Sequence, residues 1–211
     1  MLRKIALAAV AAFGVNVAAP AMATNTVADL TNITGNTFAG NIGDVSFTGT
    51  FANVGFWNYT DSSSALFSQQ AGTFTPMLPT SDALGIDSTG AITIHFSSAV
   101  TNPWISFNSL ANTYDAGTSV TLLSAGQNND GGVGISVVGH QIIGNGADNG
   151  ADANGTVQLT GTFTDITLTA VTSNSDGAAI IFGADVPEPA SMLLLAAGIT
   201  GLGIARRRQR R

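Results

Sequence analysis

Cysteine is absent from the chain, which excludes a disulfide framework and any thiolate metal site. The absence is no obstacle to export, because a domain of about 160 residues buries a workable core without covalent staples. Lysine and arginine are missing from residues 24 to 205: all seven basic residues are Arg3, Lys4, Arg206, Arg207, Arg208, Arg210 and Arg211. The thirteen acids, from Asp29 to Glu188, all lie inside that stretch, so the body carries 13 negative and 0 basic side chains. Such a body forms no Lys or Arg ion pairs and has no basic patch for phosphates, which excludes DNA and RNA as partners. Charged residues make up only 9% of the chain, where roughly 25% is usual for a soluble domain.

Catalytic patterns are also scarce. A Ser, His and acid set needs a histidine beside a nucleophile, and the chain has only His95 and His140. No Gly-x-Ser-x-Gly elbow accompanies them. His95 falls on the polar face of an alternating segment and His140 follows Gly139 near a turn, which makes both surface histidines. The body's acids before Glu188 are all aspartates, mostly at turns, where turn formation accounts for them. No dinucleotide fingerprint, phosphate loop or zinc spacing occurs. The expectation is a protein that is not an enzyme.

What is present is short alternation. Val45, Phe47, Gly49 and Phe51 alternate with Ser46, Thr48 and Thr50. Ile92, Ile94 and Phe96 alternate with Thr93, His95 and Ser97, and Ile105 and Phe107 flank Ser106. Val157, Leu159, Gly161 and Phe163 alternate with Gln158, Thr160 and Thr162, followed by Ile166 and Leu168. Period two with one apolar face is the pattern of antiparallel strands buried on one side. Turn chemistry at Ser88-Thr89-Gly90, Asp115-Ala116-Gly117, Asn154-Gly155 and Ser175-Asp176-Gly177 bounds these segments. The fold class expected is all-β, an antiparallel β-sandwich of jelly-roll-like form over residues 24–185. Threonine and serine keep the outer faces soluble without charge. Sheet edges are commonly guarded by lysine, and with none available Asp, Pro and glycine-rich bulges must guard them or the protein self-associates.

Two groups are candidates for binding. Trp57, Tyr59 and Trp104 would stack on sugar rings if exposed, and would fill the core if buried. The run from Asp148 to Gly155 clusters oxygen donors, with Asp148, Asp152 and Asn154 as weak calcium candidates. It departs from the EF-hand pattern, which needs an acid where Gly150 stands and a glutamate further on, and a turn between strands explains the same residues.

The ends carry the most specific patterns. Residues 1–23 have a basic start at Arg3 and Lys4, an apolar run from Ile5 to Val15, and Ala21-Met22-Ala23. This order is that of a secretory signal peptide cut after Ala23, which implies the Sec translocon and signal peptidase as partners. At the other end Pro187-Glu188-Pro189 precedes an uncharged segment over 190–205 and then Arg206, Arg207, Arg208, Arg210 and Arg211. A helix over 190–205 would span about 24 Å against a hydrocarbon core of roughly 30 Å. It is predicted to cross the inner membrane once, with the arginines holding its end in the cytoplasm as a stop-transfer cluster. The prolines fix extended backbone before it, which a processing enzyme can grip. A simple tail anchor is the plainer reading of the same span.

This tail, residues 186–211, resembles the sorting signal of PEP-CTERM proteins: a Pro-Glu-Pro motif, an apolar span with Gly198, Gly201 and Gly203, and a closing arginine run. The resemblance implies recognition by an exosortase, a membrane-embedded cysteine transpeptidase-like enzyme, with cleavage near the motif and release or attachment at the surface. It implies a Gram-negative host that makes extracellular polysaccharide; a surface or biofilm-matrix protein is the function expected of the whole chain. It covers the tail alone and says nothing of the body, for which a carbohydrate-binding module is the alternative.

Overall fold

The computed structural model describes residues 23–52, 54–59, 72–76, 82–87, 90–127, 131–144, 152–172 and 177–187. The first strands are β1 (Ala23–Val27), β2 (Asp29–Thr34), β3 (Thr37–Ile42), β4 (Val45–Phe51), β5 (Val54–Tyr59) and β6 (Ala83–Asp87). Next come β7 (Ala91–Leu110), β8 (Thr113–Asp115), β9 (Val120–Gly126), β10 (Val133–Gly134) and β11 (Ser136–Val138). The last are β12 (Gln141–Ile143), β13 (Ala153–Leu159), β14 (Thr162–Ala170) and β15 (Gly177–Pro187). Among the described residues there is no helix, and all pairs are antiparallel except the short β10–β13 pair.

β7 organises the molecule, because its two halves belong to different sheets. Its first half pairs with β4 on one side, Phe47 facing Phe96, and with β14 on the other, Ile166 facing Ile94. Its second half pairs with β13, Ile105 facing Val157, and with β15, Ile105 facing Phe182. All fifteen strands are hydrogen-bonded into one continuous sheet, which β7 divides into two parts: a first sheet β2-β3-β4-β7-β14-β8-β12-β11, and a second sheet β5-β6-β15-β7-β13-β9 with β1 added to β15 and β10 to β13. Strands that follow one another in the chain cross between sheets, β13 lying in the second, β14 in the first and β15 in the second. The described body is thus all-β, antiparallel and sandwich-like.

The crossing has a local cause. Asn102 adopts φ 47°, a left-handed conformation that asparagine tolerates better than most residues. Its side chain accepts the Gly161 N–H at 3.1 Å and its own N–H donates to the Gly161 carbonyl at 2.7 Å. Pro103 follows immediately. The inward phase shifts across this point: Ile92, Ile94, Phe96 and Val100 are buried before it, Ile105 and Phe107 after it.

The core lies between the sheets. Phe47 of the first sheet meets Phe182 of the second with ring centroids 5.0 Å apart at 67°, and Phe38 meets Phe182 at 6.1 Å. Edge-to-face rings of this kind add about 0.5–1.5 kcal/mol beyond their burial. β4 alternates strictly, with Val45, Phe47 and Phe51 inward, so the first sheet leaves its other face to solvent. The second sheet is covered on both faces. Trp104, Ala179 and Ile181 form a second small cluster with Ala83 and Phe74. The segment bearing Phe74 is pinned there: Ser124 donates to the Thr73 carbonyl at 2.9 Å, and Thr73 donates to the Gln127 carbonyl at 2.7 Å.

The expected transmembrane helix over 190–205 lies outside the described residues, as do residues 1–22 of the expected signal peptide. Among the described residues no helix is long and apolar enough to cross a membrane.

Candidate functional site

The end of β15 carries the first proline of the sorting motif. Ala178 to Ala184 are buried throughout, because β15 lies inside the covered second sheet. Pro187 is the last residue of the strand and Ala23, at the start of β1, faces it. A proline has no N–H to give a ladder, so a strand stops readily there. Glu188, Pro189, the arginines Arg206, Arg207, Arg208, Arg210 and Arg211, and Ala21 lie outside the described residues.

The open face of the first sheet is the other candidate. Thr34, Thr37, Thr50, Thr93 and Thr167 succeed one another across β2, β3, β4, β7 and β14 as register partners. The Thr93 and Thr167 hydroxyls are 3.3 Å apart. The next row is Asn32, Ala39, Thr48, His95 and Asp165. Because Ala39 is short where its neighbours are long, a groove of about 340 Å³ opens between Asn32, Thr37, Thr48, Thr93 and His95. Its rim offers hydroxyl, amide and imidazole groups that donate and accept, with no fixed cation.

His95 Nδ1 stands 2.7 Å from Asp165 Oδ1, a separation at which the imidazole N–H donates to the carboxylate. This bond, with a second from the Thr164 hydroxyl, holds the Asp165 carboxyl below the ordinary carboxylate value. His140 makes the corresponding contact with Asp115 at 2.8 Å. There the Gly117 N–H is the larger cause of the lowered Asp115 pKa and His140 the next. The His95–Asp165 pair faces water, both side chains being more than 60% exposed. The surface positions read for the two histidines hold; their aspartate partners, far apart in sequence, were not legible there.

The aromatic candidates do not form one platform. Trp104 is wholly buried and Gly183 packs so closely on its ring that a Cβ there would lie 2.3 Å from Cζ2. It is a core residue and is withdrawn as a sugar contact: its half of β7 is covered on both faces. Trp57 and Tyr59 lie on β5, of which only the backbone is described.

The calcium candidates separate similarly. Asn154 is buried and its amide is committed, Oδ1 accepting the Ser109 N–H at 2.9 Å and Nδ2 donating to the Asp152 carbonyl at 3.2 Å. It is a pin for the irregular β7–β13 register, where Ser109 has φ 61°, and is withdrawn as a metal ligand. Asp148 lies outside the described residues. Among the described residues no group of three or more His, Asp or Glu side chains is arranged to hold a metal ion.

Residues 185–211 match the family model of the PEP-CTERM protein-sorting motif. The match indicates an exported, exosortase-targeted protein, membrane-anchored as a precursor and then delivered to the surface. Comparison with curated proteins and with solved structures returns no match for the chain.

Proposed function

We propose that the chain is a non-enzymatic surface or matrix protein, associated with the exopolysaccharide of a Gram-negative cell. It enters through the Sec translocon, loses residues 1–23 to signal peptidase, and is held at the inner membrane by residues 190–205. Exosortase then cuts near Pro187-Glu188-Pro189. The observation that carries this reading is that the motif follows the last core strand without a linker, so one cut there frees the body whole. The open disposition of the His95–Asp165 pair, with no nucleophile signature beside it, supports a non-catalytic role. Intact mass spectrometry of protein recovered from the native cell surface tests it. The expected mass lacks residues 1–23 and the tail after about Pro189; a full-length mass with the arginine cluster attached would overturn the reading.

A second reading, carbohydrate binding by the body, is favoured by the groove on the threonine face. Its lining suits a neutral, hydroxyl-rich polymer better than a charged one, because Asn32, Thr37, Thr48, Thr50 and Thr93 line it with no carboxylate among them.

A further inference from the structure

β1 runs antiparallel to the end of β15, Asn25 facing Asp185, Thr24 facing Val186 and Ala23 facing Pro187. β6 pairs with β15 only up to Ile180, and β7 pairs with it only up to Asp185. Val186 and Pro187 therefore have β1 as their one ladder partner among the described residues. The Ala28 N–H donates to the Phe182 carbonyl at 2.8 Å, which fixes the phase of the ladder. By the alternation of an antiparallel pair, Thr26–Ala184 and Thr24–Val186 are hydrogen-bonded pairs, and Asn25–Asp185 and Ala23–Pro187 are not. The missing N–H of Pro187 thus points away from β1 and costs the ladder nothing, while both backbone groups of Val186 are taken by Thr24.

We propose that β1 is a latch on the sorting motif, and that exosortase gains the motif by strand exchange, taking Val186 and Pro187 as an extended strand in place of β1. The proposal rests on the reading that exosortase cuts near Pro187-Glu188-Pro189. An enzyme that holds extended substrate must supply partners for its backbone N–H and C=O groups, and here that edge is already filled. β1 is built to leave. Once the signal has taken Ala23 with it, β1 is reduced to the terminal residues 24–27, and such strands are held weakly. It is seated at its inner end, where Val27 packs against the Trp104, Ala179 and Ile181 cluster and where Gly183 lacks a side chain and the Thr26 carbonyl comes close; a Cβ at Gly183 would lie 2.3 Å from that oxygen. Beyond that point nothing of the core depends on it, since β15 keeps β7 and β6 along Ala179 and Ile180. The strand next to the signal cleavage site thereby sets the rate at which the opposite end is processed.

The absence of cysteine makes the test clean. Asn25→Cys with Asp185→Cys places one disulfide across a non-hydrogen-bonded pair, where Cα atoms are close enough to bridge. Conversion of precursor to processed protein is followed by pulse-chase in the native host, with and without a thiol reductant. Processing is expected to stall while the pair is oxidised and to return to the wild-type rate on reduction. Thr26→Pro, which removes a β1 N–H from the ladder, is expected to be processed faster than wild type. Equal rates for the oxidised, reduced and Thr26→Pro forms would overturn the latch while leaving exosortase processing intact. A wild-type chain that is never cut, and behaves like Glu188→Ala, would overturn the processing reading and the latch with it.

Discussion

Asp165 is a surface carboxylate whose charged form is favoured in the folded chain, first by the His95 imidazole and then by the Thr164 hydroxyl. A carboxyl with a depressed folded pKa contributes stability above its unfolded value, and that contribution disappears as the pH falls through the folded value. The ordinary value is 3.8, so the window lies below it. Asp165→Asn is therefore expected to lower the melting temperature slightly at neutral pH, the effect being small because the pair is water-screened. The gap from wild type should close in melts taken down to pH ~3. A gap that stayed constant or widened in acid would contradict the assignment. Residue identity foretold that His95 would sit outside, since it alternates with Ile94 and Phe96. Its partner was not foretold, because pairing depends on which strand lies beside β7.

At the scale of elements, alternation marked β4, β7, β13 and β14, and long-range pairing decided the rest. Val157 to Phe163 reads as one alternating run, yet it is two strands in different sheets. The break falls at Thr160–Gly161, where Gly161 has φ 139°. Conversely, Ile92–Phe96 and Ile105–Phe107 read as separate segments, yet both lie on β7, with Asn102 and Pro103 carrying the bend between sheets. The sheet crossing reverses the inward phase, so period alone could not join the two halves. The burial of Trp104 follows from the same geometry: the second sheet is covered twice, and nothing local to Pro103-Trp104-Ile105 reveals the cover. The threonine row is likewise a property of register between five strands. If its groove binds polysaccharide, Thr93→Val with His95→Ala should abolish retardation in affinity electrophoresis through exopolysaccharide while the melting curve stays cooperative. Retardation that survived the double substitution would remove the groove from consideration.

For the whole molecule the decisive property is one-sided charge. Thirteen acids face no lysine or arginine between residues 24 and 205, and the two ion pairs found among the described residues both use histidine. Repulsion among like charges opposes the compact state and salt screens it, with a Debye length of about 10 Å at 0.1 M. Most proteins lose attractive pairs to the same screening; this body has few to lose. Protein purified from the cell surface is expected to melt several degrees higher as sodium chloride is raised from about 20 mM to about 500 mM. A flat or falling melting temperature would show that repulsion is not what limits its stability. The tail, by contrast, was legible outright, since its order of proline motif, apolar run and arginines needs no tertiary contact to be recognised.

β15 runs alongside the central strand over Ala179 to Asp185 and ends at the tail. A pull applied to the end of β15 along the strand axis is carried by the strands paired with it. It loads the whole row of β7–β15 hydrogen bonds in shear rather than peeling them one at a time. The body thus meets mechanical force through the β7–β15 seam once β1, the partner nearest the pulled end, has come away.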